Sequence, residues 1–243
     1  LSQFHMDIAS SIQSVTEEIV LKITKNILSK YKIKNLCLAG GVALNCVANG
    51  KLIQQNIFDD VWIQPASGDA GSSLGAALLC WHEYLNKPRK VNKNDSMKGS
   101  YLGCEFSNNE IITYLRKVRA SFEQLEDPFL FKRIAELLDE GNVIGWFNGP
   151  MEFGPRSLGG RSIIGDPRNH LMQSVMNLKI KYRESFRPFA PSVLEEDIES
   201  QFSLKSKKSP YMLIVAPVKK ELCIESLIFF LALMQLYCQN EYI

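Results

Sequence analysis

NLCLAGGVALNCVANGKLIQQNIFDDVWIQPASGDAGSSLGAA, residues 35–77, decides the fold class of this 243-residue chain. It opens with a short apolar run, residues 35–39, which meets a pair of glycines and then a helix-like segment at residues 43–54. A second buried run, residues 61–64, ends in another glycine loop and leads into a helix predicted over residues 72–84. A strand, a glycine loop and a helix used twice in succession predict an α/β fold.

The two glycine loops are typical of anion sites, because free N–H groups and the dipole of the following helix point at a bound ligand. A pair of glycines such as Gly40 and Gly41 can also serve only to make a tight turn. The second loop, which contains Gly68, favours a nucleotide or phosphate site. Asp69 could cap the helix that follows or hold a metal ion, and its spacing alone favours the cap.

The remaining periodicity outlines further elements. Apolar residues at three- and four-residue spacing predict an amphipathic helix over residues 3–30. Residues 86–100 are polar and have no apolar period, which predicts a linker or surface loop at a domain boundary. Beyond them we predict three helices, at residues 110–118, 130–139 and 170–176, and two strands, at residues 143–147 and 211–215.

A second unusual stretch is MEFGPRSLGGRSIIGDPRNHLMQSVMNLKIKYRESFRPFAP, residues 151–191. It holds seven basic and three acidic residues, a net charge of +4, whereas the whole chain carries +2. Cations this dense repel each other unless they share an anion, and arginine presents a planar fork that matches phosphate or carboxylate. Glycine and proline favour a rigid, closed loop. The stretch therefore predicts a site for a phosphorylated small molecule such as ATP or an acyl phosphate.

The candidate cations of this site are Arg156, Arg161, Lys181, Arg183 and Arg187. The alternative is that some of them pair with Glu152, Asp166 and Glu184 as scaffold ion pairs. Arg168 and Lys179 suit exposed surface positions best. A nucleic-acid surface would also combine basic residues with the aromatic residues found here, but the prolines favour a pocket.

Composition is that of an ordinary soluble globular protein, with 46% hydrophobic and 22% charged residues. A net charge near zero disfavours a general polyanion binder. Six cysteines without a CxxC pair predict reduced, buried thiols in a cytoplasmic protein. The longest apolar run, residues 227–236, is shorter than the about 20 residues that span a bilayer, so we expect no membrane partner.

Four motifs, in this order, resemble those of the NodU/CmcH carbamoyltransferase family: LCLAGGVALNCVANGKL, QPASGDAGSSLGAA, GPMEFGPRSLGGRS and IKYRESFRPFAPSVLEE. The resemblance covers residues 36–218, and members of this family make O-carbamoylated nodulation factors and antibiotics. It implies the C-terminal half of an actin/Hsp70-like ATPase superfold lobe over residues 1–90 and a linker over residues 91–105. A YrdC-like α/β domain would follow over residues 106–243, with residues 221–243 as an atypical tail.

The same resemblance implies an O-carbamoyltransferase of two steps. The YrdC-like domain would use carbamoyl phosphate and ATP to form carbamoyl adenylate, with pyrophosphate among the products. The ATPase-like domain passes the carbamoyl group to a hydroxyl of a small-molecule acceptor, with a divalent metal, iron or magnesium, as cofactor. The expected location is cytoplasmic, nucleic acid is not an expected partner, and a homodimer stays open.

Roles carry over onto matching positions only as this resemblance implies. The nucleotide-binding positions would be Gly40, Gly41, Asn45 and Gly68. Asp69 matches the family's aspartate metal ligand, which reverses the preference for a cap. The catalytic positions around carbamoyl phosphate and ATP would be Arg156, Arg161, Lys181 and Arg183. The substrate-binding positions beside them would be Ser157, Gly159 and Arg187.

Two departures from the family pattern affect these expectations. The family's paired metal-binding histidines are absent, since His5 stands alone, so we expect a fragment that lacks the N-terminal half and part of the transfer site. Residues 221–243 are apolar and unlike the family, which suggests a frameshifted end. Two other interpretations stay open: a YrdC-like RNA-binding module for tRNA modification, and an inactive truncated remnant that exposes an apolar face.

Overall fold

A computed structural model describes residues 2–92, 94–204, 208–219 and 222, and the backbone of residues 235–236. It confirms the mixed α/β class, while the assignment to an ATPase-like lobe and a YrdC-like domain stays a prediction. Contacts group the chain into two compact units, Leu1–Lys90 with Ala190–Ile243, and Val91–Phe189. The predicted limits of the linker and of the two domains stay predictions.

The first unit carries the two strand–loop–helix repeats. Its first elements are α1 (Gln3–Tyr31), β1 (Asn35–Leu38), a 3-10 turn (Gly41–Leu44), α2 (Cys46–Gln54), β2 (Asp60–Ile63) and α3 (Asp69–Leu79), which continues as a π-helical turn (Cys80–Tyr84). The strands β1 and β2 pair in parallel, with Leu36 opposite Val61. Leu36, Leu52 and Phe58 form the core that these elements share. The parallel pairing is the arrangement that the repeated strand–helix pattern predicts.

Helix α1 buries a different face from the one that its sequence suggests. Leu21 and Leu28 pack against the core. The apolar residues whose spacing predicted the helix are instead 43–68% exposed: Phe4, Ile8, Ile12, Val15, Ile19 and Ile23. Glu17 is buried on the inner side and pairs with Lys51 of α2, which lowers the pKa of its carboxyl group.

The predicted strand at residues 211–215 is wrong. The segment is largely buried, but it forms no continuous strand: only Val215 takes part in an isolated β-bridge, and two of its backbone groups bond to α2. The Val215 N–H donates to the Cys46 carbonyl at 3.1 Å, and the buried Asn49 side chain donates to the Leu213 carbonyl at 3.0 Å. Gly50 permits this approach, because a Cβ there would overlap with the Val215 carbonyl oxygen.

The rest of the first unit comes from the C-terminal part of the chain. Its elements are β5 (Ser192–Val193), a 3-10 turn (Glu195–Asp197), α7 (Ile198–Gln201) and β6 (Gln235–Leu236), which pairs in parallel with β5. Ile198, Phe202 and Ala216 form a second small core. Apart from residue 222 and the backbone of β6, the tail predicted to be atypical lies outside the described residues.

The second unit contains most of the basic stretch. Its elements are a 3-10 turn (Lys98–Ser100), α4 (Asn108–Lys117), α5 (Asp127–Asp139), β3 (Ile144–Phe147), β4 (Arg161–Ile164) and α6 (Met172–Val175), which continues as a π-helical turn (Met176–Ile180). Ser107 and Glu110 form a capping box that begins α4. Gly141, with φ +85°, follows the end of α5, as its position in the sequence predicts.

Strands β3 and β4 form an antiparallel hairpin around the basic loop. Ile144 pairs with Ile164, and Phe147 pairs with Arg161. The motif with Arg156 lies in the connection of thirteen residues, 148–160. This connection is long for a hairpin, so other groups must satisfy its backbone.

The described cysteines are free, as predicted, but their predicted burial is wrong. Cys37, Cys80 and Cys104 are exposed and Cys46 is half-buried. Strand β1 alternates its side chains, so the core takes Leu36 and leaves Cys37 outside. The other two cysteines lie outside the described residues. Within the described part of the chain, no helix is both long and apolar enough to cross a membrane.

Candidate anion-binding site

The basic hairpin loop is built around a buried carboxylate. Glu152 is 8% exposed, and its Oε1 accepts the backbone N–H groups of Leu158, Gly160 and Arg161 at 2.6, 2.9 and 3.3 Å. Gly160 is needed at this point, because a Cβ there would lie 2.7 Å from the Pro150 carbonyl oxygen. The sequence suggested Glu152 as an ion-pair partner, but the structure uses it to hold the loop backbone.

Arg161 complements Glu152 by collecting the carbonyl groups of the same loop. Its Nη1 donates to the carbonyls of Gly160 and Gly149 at 2.7 and 3.0 Å, and its Nη2 donates to that of Cys104 at 3.3 Å. The guanidinium also lies 3.4 Å from the ring centre of Phe147, its strand partner. Most of the hydrogen-bonding capacity of Arg161 is therefore directed at the loop itself.

Residues 100–104 brace the other side of the loop. The Phe153 N–H donates to the Ser100 carbonyl at 2.6 Å, and the Tyr101 hydroxyl donates to the Leu158 carbonyl at 2.5 Å. Met151 exchanges backbone hydrogen bonds with Gly103 and Cys104 at 2.9 Å. These bonds supply the backbone partners that the hairpin ladder does not reach.

The loop presents three of the predicted site residues between these fixed points. Arg156 is half-buried and Ser157 is exposed. Gly159 has a φ of +104°, a conformation that favours glycine, and its N–H donates to the Ser162 hydroxyl at 2.9 Å. A rigid loop that displays an arginine and a hydroxyl group can bind an oxyanion.

A second basic segment, residues 181–187, is organised by Asn177 of the π-helical turn. Asn177 is fully buried, and its Nδ2 donates to the carbonyls of Arg187 and Ser185 at 2.7 and 3.1 Å. Gln173 donates to the Arg187 carbonyl as well, at 3.1 Å. The segment turns back on itself at Tyr182, which has a φ of +49°.

Arg183 is held on one edge and left open on the other. Its Nε donates to the Asn177 Oδ1 at 2.6 Å, and its guanidinium lies 4.8 Å from the ring centre of Phe189. Among the described residues, its two Nη groups donate to no protein acceptor. The open edge of a guanidinium is the part that binds phosphate or carboxylate with two parallel hydrogen bonds.

The other cations of the stretch differ in how far acids neutralise them. Arg187 donates to Glu184 at 2.8 Å, and the pKa of Glu184 is lowered by its own backbone N–H, by this arginine and by the nearby charge of Arg183. Lys181 is exposed and meets no acid in the described part of the chain. The charge of Lys181 is therefore available to a ligand, whereas that of Arg187 is partly balanced.

Arg168 has the surface role that its exposed position suggested. Its guanidinium pairs with Asp166 at 2.7 Å and with Asp139 at 2.6 Å. The hydrogen bonds from Arg168 lower the pKa of Asp166, and the two acids raise the pKa of Arg168. The scaffold ion-pair alternative thus describes Arg168 and, in part, Arg187.

The glycine loops of the first unit keep features of a nucleotide site. Gly40 has a φ of +95°, and a Cβ at Gly40 or Gly41 would have no neighbour within 4 Å. Ser67, beside Gly68 at the start of α3, is 6% exposed, and its hydroxyl has no hydrogen-bond partner among the described residues. A buried hydroxyl of this kind fits an external oxygen ligand.

Asn45 already serves the fold. Its Oδ1 accepts the Ala48 N–H at 3.1 Å and thereby caps α2, and its amide pairs with Gln13 of α1. The predicted contact of Asn45 with a nucleotide stays a prediction.

Asp69 is exposed at the first position of α3, where a carboxylate interacts favourably with the helix dipole. The described residues contain no cluster of three or more His, Cys, Asp or Glu side chains that could hold a metal ion. The described residues therefore do not provide a complete metal centre. The metal-ligand role of Asp69 stays a prediction.

Sequence reasoning found the cations but missed the side chains that hold them. The sequence does not predict roles for Asn177, Gln173 and Tyr101, because an amide or a phenol gives no motif of its own. Glu152 was visible only as a nearby acid. Its fixed position three residues before a proline and four before an arginine was the one available signal.

The geometry defines a mixed α/β protein with arginine-bearing loops that are fixed by buried polar side chains. Two family models match this chain: the carbamoyltransferase N-terminus over residues 2–78 and the carbamoyltransferase C-terminus over residues 135–228. The chain belongs to the carbamoyltransferase family, which confirms the resemblance.

Three relatives are similar to most of this chain. An uncharacterized protein of Synechocystis sp. is 60% identical over 91% of this chain. The nodulation protein NolNO of Sinorhizobium fredii is 40% identical over 90% of the chain, and nodulation protein U of the same species is 30% identical over 85%. The matches cover 36%, 32% and 35% of these relatives, so the chain spans about a third of their length.

Proposed function

We propose that this chain supplies the carbamoyl phosphate and ATP site of an O-carbamoyltransferase. The enzyme forms carbamoyl adenylate and then transfers the carbamoyl group to a hydroxyl of a small-molecule acceptor. Membership of the family and the two basic segments of the second unit support this proposal. Two relatives are named as nodulation proteins, which favours an acceptor of the nodulation-factor type over one of the antibiotic type.

The chemistry demands a cluster of cations. Carbamoyl phosphate, ATP and water give carbamoyl adenylate, inorganic phosphate and pyrophosphate, so two highly charged substrates must approach each other. In the second step the acceptor oxygen bonds to the carbamoyl carbon, AMP leaves, and the hydroxyl proton passes to a base or to solvent. Fixed positive charges lower the barrier because they neutralise substrates that otherwise repel.

The proposed roles follow from how each cation is held. Arg183 offers its open guanidinium edge to a phosphate, and Lys181 adds a point charge. Arg156 and Ser157 bind at the hairpin loop, which Arg161 shapes through its bonds to carbonyl groups. Arg187 contributes less charge because Glu184 pairs with it.

In the transfer step, the nucleotide would be held at the glycine loops of the first unit. Gly40 and Gly41 leave space for close approach of a ligand to the backbone, and Gly68 precedes the N-terminus of α3. The buried Ser67 hydroxyl would donate to an oxygen of the nucleotide.

The observation that supports the proposal most strongly is how the Arg183 side chain is held. A guanidinium that is fixed at Nε and against an aromatic ring, yet open at both Nη groups within the described structure, can bind a phosphate group through two parallel hydrogen bonds. A scaffold arginine would instead direct all its donors at the protein, as Arg161 nearly does.

Calorimetric titration with carbamoyl phosphate, in the presence of a non-hydrolysable ATP analogue, tests the proposal. The folded chain should bind with measurable heat, and Arg183→Ala should weaken binding about tenfold or more, because a charged hydrogen-bonded pair is lost. Arg168→Ala is the matched control, since Arg168 is an arginine of the same stretch that pairs with acids. No heat from folded wild-type protein contradicts the proposal.

A second candidate is binding of single-stranded RNA. Tyr182 is 86% exposed and Phe186 is 70% exposed, and both lie among the cations of the second basic segment. Exposed aromatic rings between basic residues can stack on bases. This interpretation requires a gel shift with RNA that weakens steeply as salt increases, and an unshifted RNA excludes it.

A further inference from the structure

We infer that Asn177 is the positioning residue of the anion site, because it sets the direction of Arg183 and holds the segment that carries it. This inference rests on the proposed function, since it concerns the same site. Asn177 lies in the π-helical turn that follows α6, a type of local distortion that is frequent at functional sites.

The side chain of Asn177 uses its hydrogen-bonding groups in three directions. It is 0% exposed, so each polar atom must find a protein partner. Its Nδ2 donates to the carbonyls of Arg187 and Ser185 at 2.7 and 3.1 Å, and its Oδ1 accepts the Arg183 Nε at 2.6 Å. Its backbone carbonyl also accepts the Arg183 N–H at 3.0 Å. One residue therefore fixes both the backbone and the side chain of Arg183.

The bond to Nε determines which edge of Arg183 can meet a ligand. Once Nε is held, rotation of the guanidinium about its long axis is restricted, and the ring of Phe189 restricts it further. Both Nη groups then share one direction. A fork that is already oriented loses less side-chain entropy when it binds an oxyanion, which increases affinity.

Gln173 provides an internal comparison for this role. It donates to the Arg187 and Phe186 carbonyls at 3.1 and 3.4 Å, so it holds the same segment. It makes no hydrogen bond to the Arg183 side chain among the described residues. A purely structural contribution of Asn177 would resemble that of Gln173, whereas a positioning contribution acts through Arg183.

A double-mutant cycle distinguishes the two roles. The variants are Asn177→Ala, Arg183→Ala and the double variant, titrated with carbamoyl phosphate and the ATP analogue after thermal unfolding has shown each to be folded. Asn177→Ala should weaken binding about tenfold, as expected for loss of a hydrogen bond to a charged group. In the Arg183→Ala background, Asn177→Ala should cause no further loss of binding affinity. Gln173→Ala should bind within about twofold of wild type, since it does not touch the fork.

Arg183→Lys keeps the experiment informative if Asn177→Ala does not fold. This change retains the charge but removes the Nε donor and the fork, so it should also weaken binding about tenfold. The inference is overturned if Asn177→Ala or Arg183→Lys binds with wild-type affinity. It is also overturned if Asn177→Ala weakens binding equally in the wild-type and the Arg183→Ala backgrounds. Absence of binding by wild type instead overturns the proposed function.

Discussion

At the scale of single residues, Glu152 and Asn177 give each basic segment its shape. Glu152 gathers three backbone N–H groups, and Asn177 gathers two carbonyls and a guanidinium. Both side chains are buried, so these hydrogen bonds matter for stability: a buried polar group that loses its partner is left desolvated without compensation. The sequence predicted the cations from charge alone, but burial of an acid or amide depends on contacts that no local pattern encodes.

Replacing Glu152 tests how far the hairpin loop depends on it. Glu152→Ala leaves three N–H groups without their acceptor and should lower the free energy of unfolding by about 3 kcal/mol. Glu152→Gln retains an acceptor oxygen and should cost about 1 kcal/mol. Urea unfolding followed by tryptophan fluorescence, to which Trp146 in β3 contributes, measures both. Equal stability of Glu152→Ala and wild type would show that the carboxylate does not organise the loop.

At the scale of elements, helix α1 shows what periodicity can and cannot predict. Spacing of three and four residues gave a helix over residues 3–30, and the structure has Gln3–Tyr31. Spacing only shows that apolar residues share a face, and here that face is exposed while Leu21 and Leu28 pack inside. An exposed apolar stripe of this length is a self-association surface when nothing covers it.

Substitutions on the exposed face of α1 should change self-association, whereas a substitution on its packed face should change stability. Ile12→Gln with Ile19→Gln should change the free energy of unfolding by less than about 0.5 kcal/mol and reduce self-association, because both side chains are exposed. Leu28→Ala, on the packed face, should cost about 2 kcal/mol. Denaturant unfolding and sedimentation velocity provide the readouts. A large loss of stability from the isoleucine changes would mean that the stripe is packed.

Helix α3 offers a matched pair of glycines. A Cβ at Gly71 would overlap with the Ala66 carbonyl oxygen, whereas a Cβ at Gly75 would have no neighbour within 4 Å. Gly71→Ala should therefore destabilise the protein by about 2 kcal/mol, and Gly75→Ala should stabilise it by about 0.5 kcal/mol through helix propensity. Denaturant midpoints compare them directly, and two stabilising changes would contradict the close approach at Gly71.

Two other elements differ from the secondary structure that the sequence predicts. The apolar run at residues 211–215 reads as a strand, yet Asn49 and Cys46 supply its backbone partners. The helix predicted at residues 170–176 ends instead as a π-helical turn, Met176–Ile180, where Asn177 lies. The backbone partners of residues 211–215 are distant in sequence, and local patterns do not report them.

At the scale of the whole molecule, charge is local rather than global. The chain carries +2 overall, but residues 151–191 carry +4, and nearly all of that stretch lies in the second unit. The family resemblance and the order of its motifs were visible in the sequence, because the second and fourth motifs are long and rarely found elsewhere. The structure adds which cations are open to a ligand and which are neutralised by acids.

The most direct test of the central claim is exchange of label between pyrophosphate and ATP by the purified chain. If the chain forms carbamoyl adenylate as proposed, the reverse reaction consumes pyrophosphate and regenerates ATP, so labelled pyrophosphate should enter ATP only when carbamoyl phosphate is present. Arg183→Ala should reduce this exchange, and Arg168→Ala should not. No exchange by a folded chain supplied with both substrates, or exchange that does not require carbamoyl phosphate, would contradict the account.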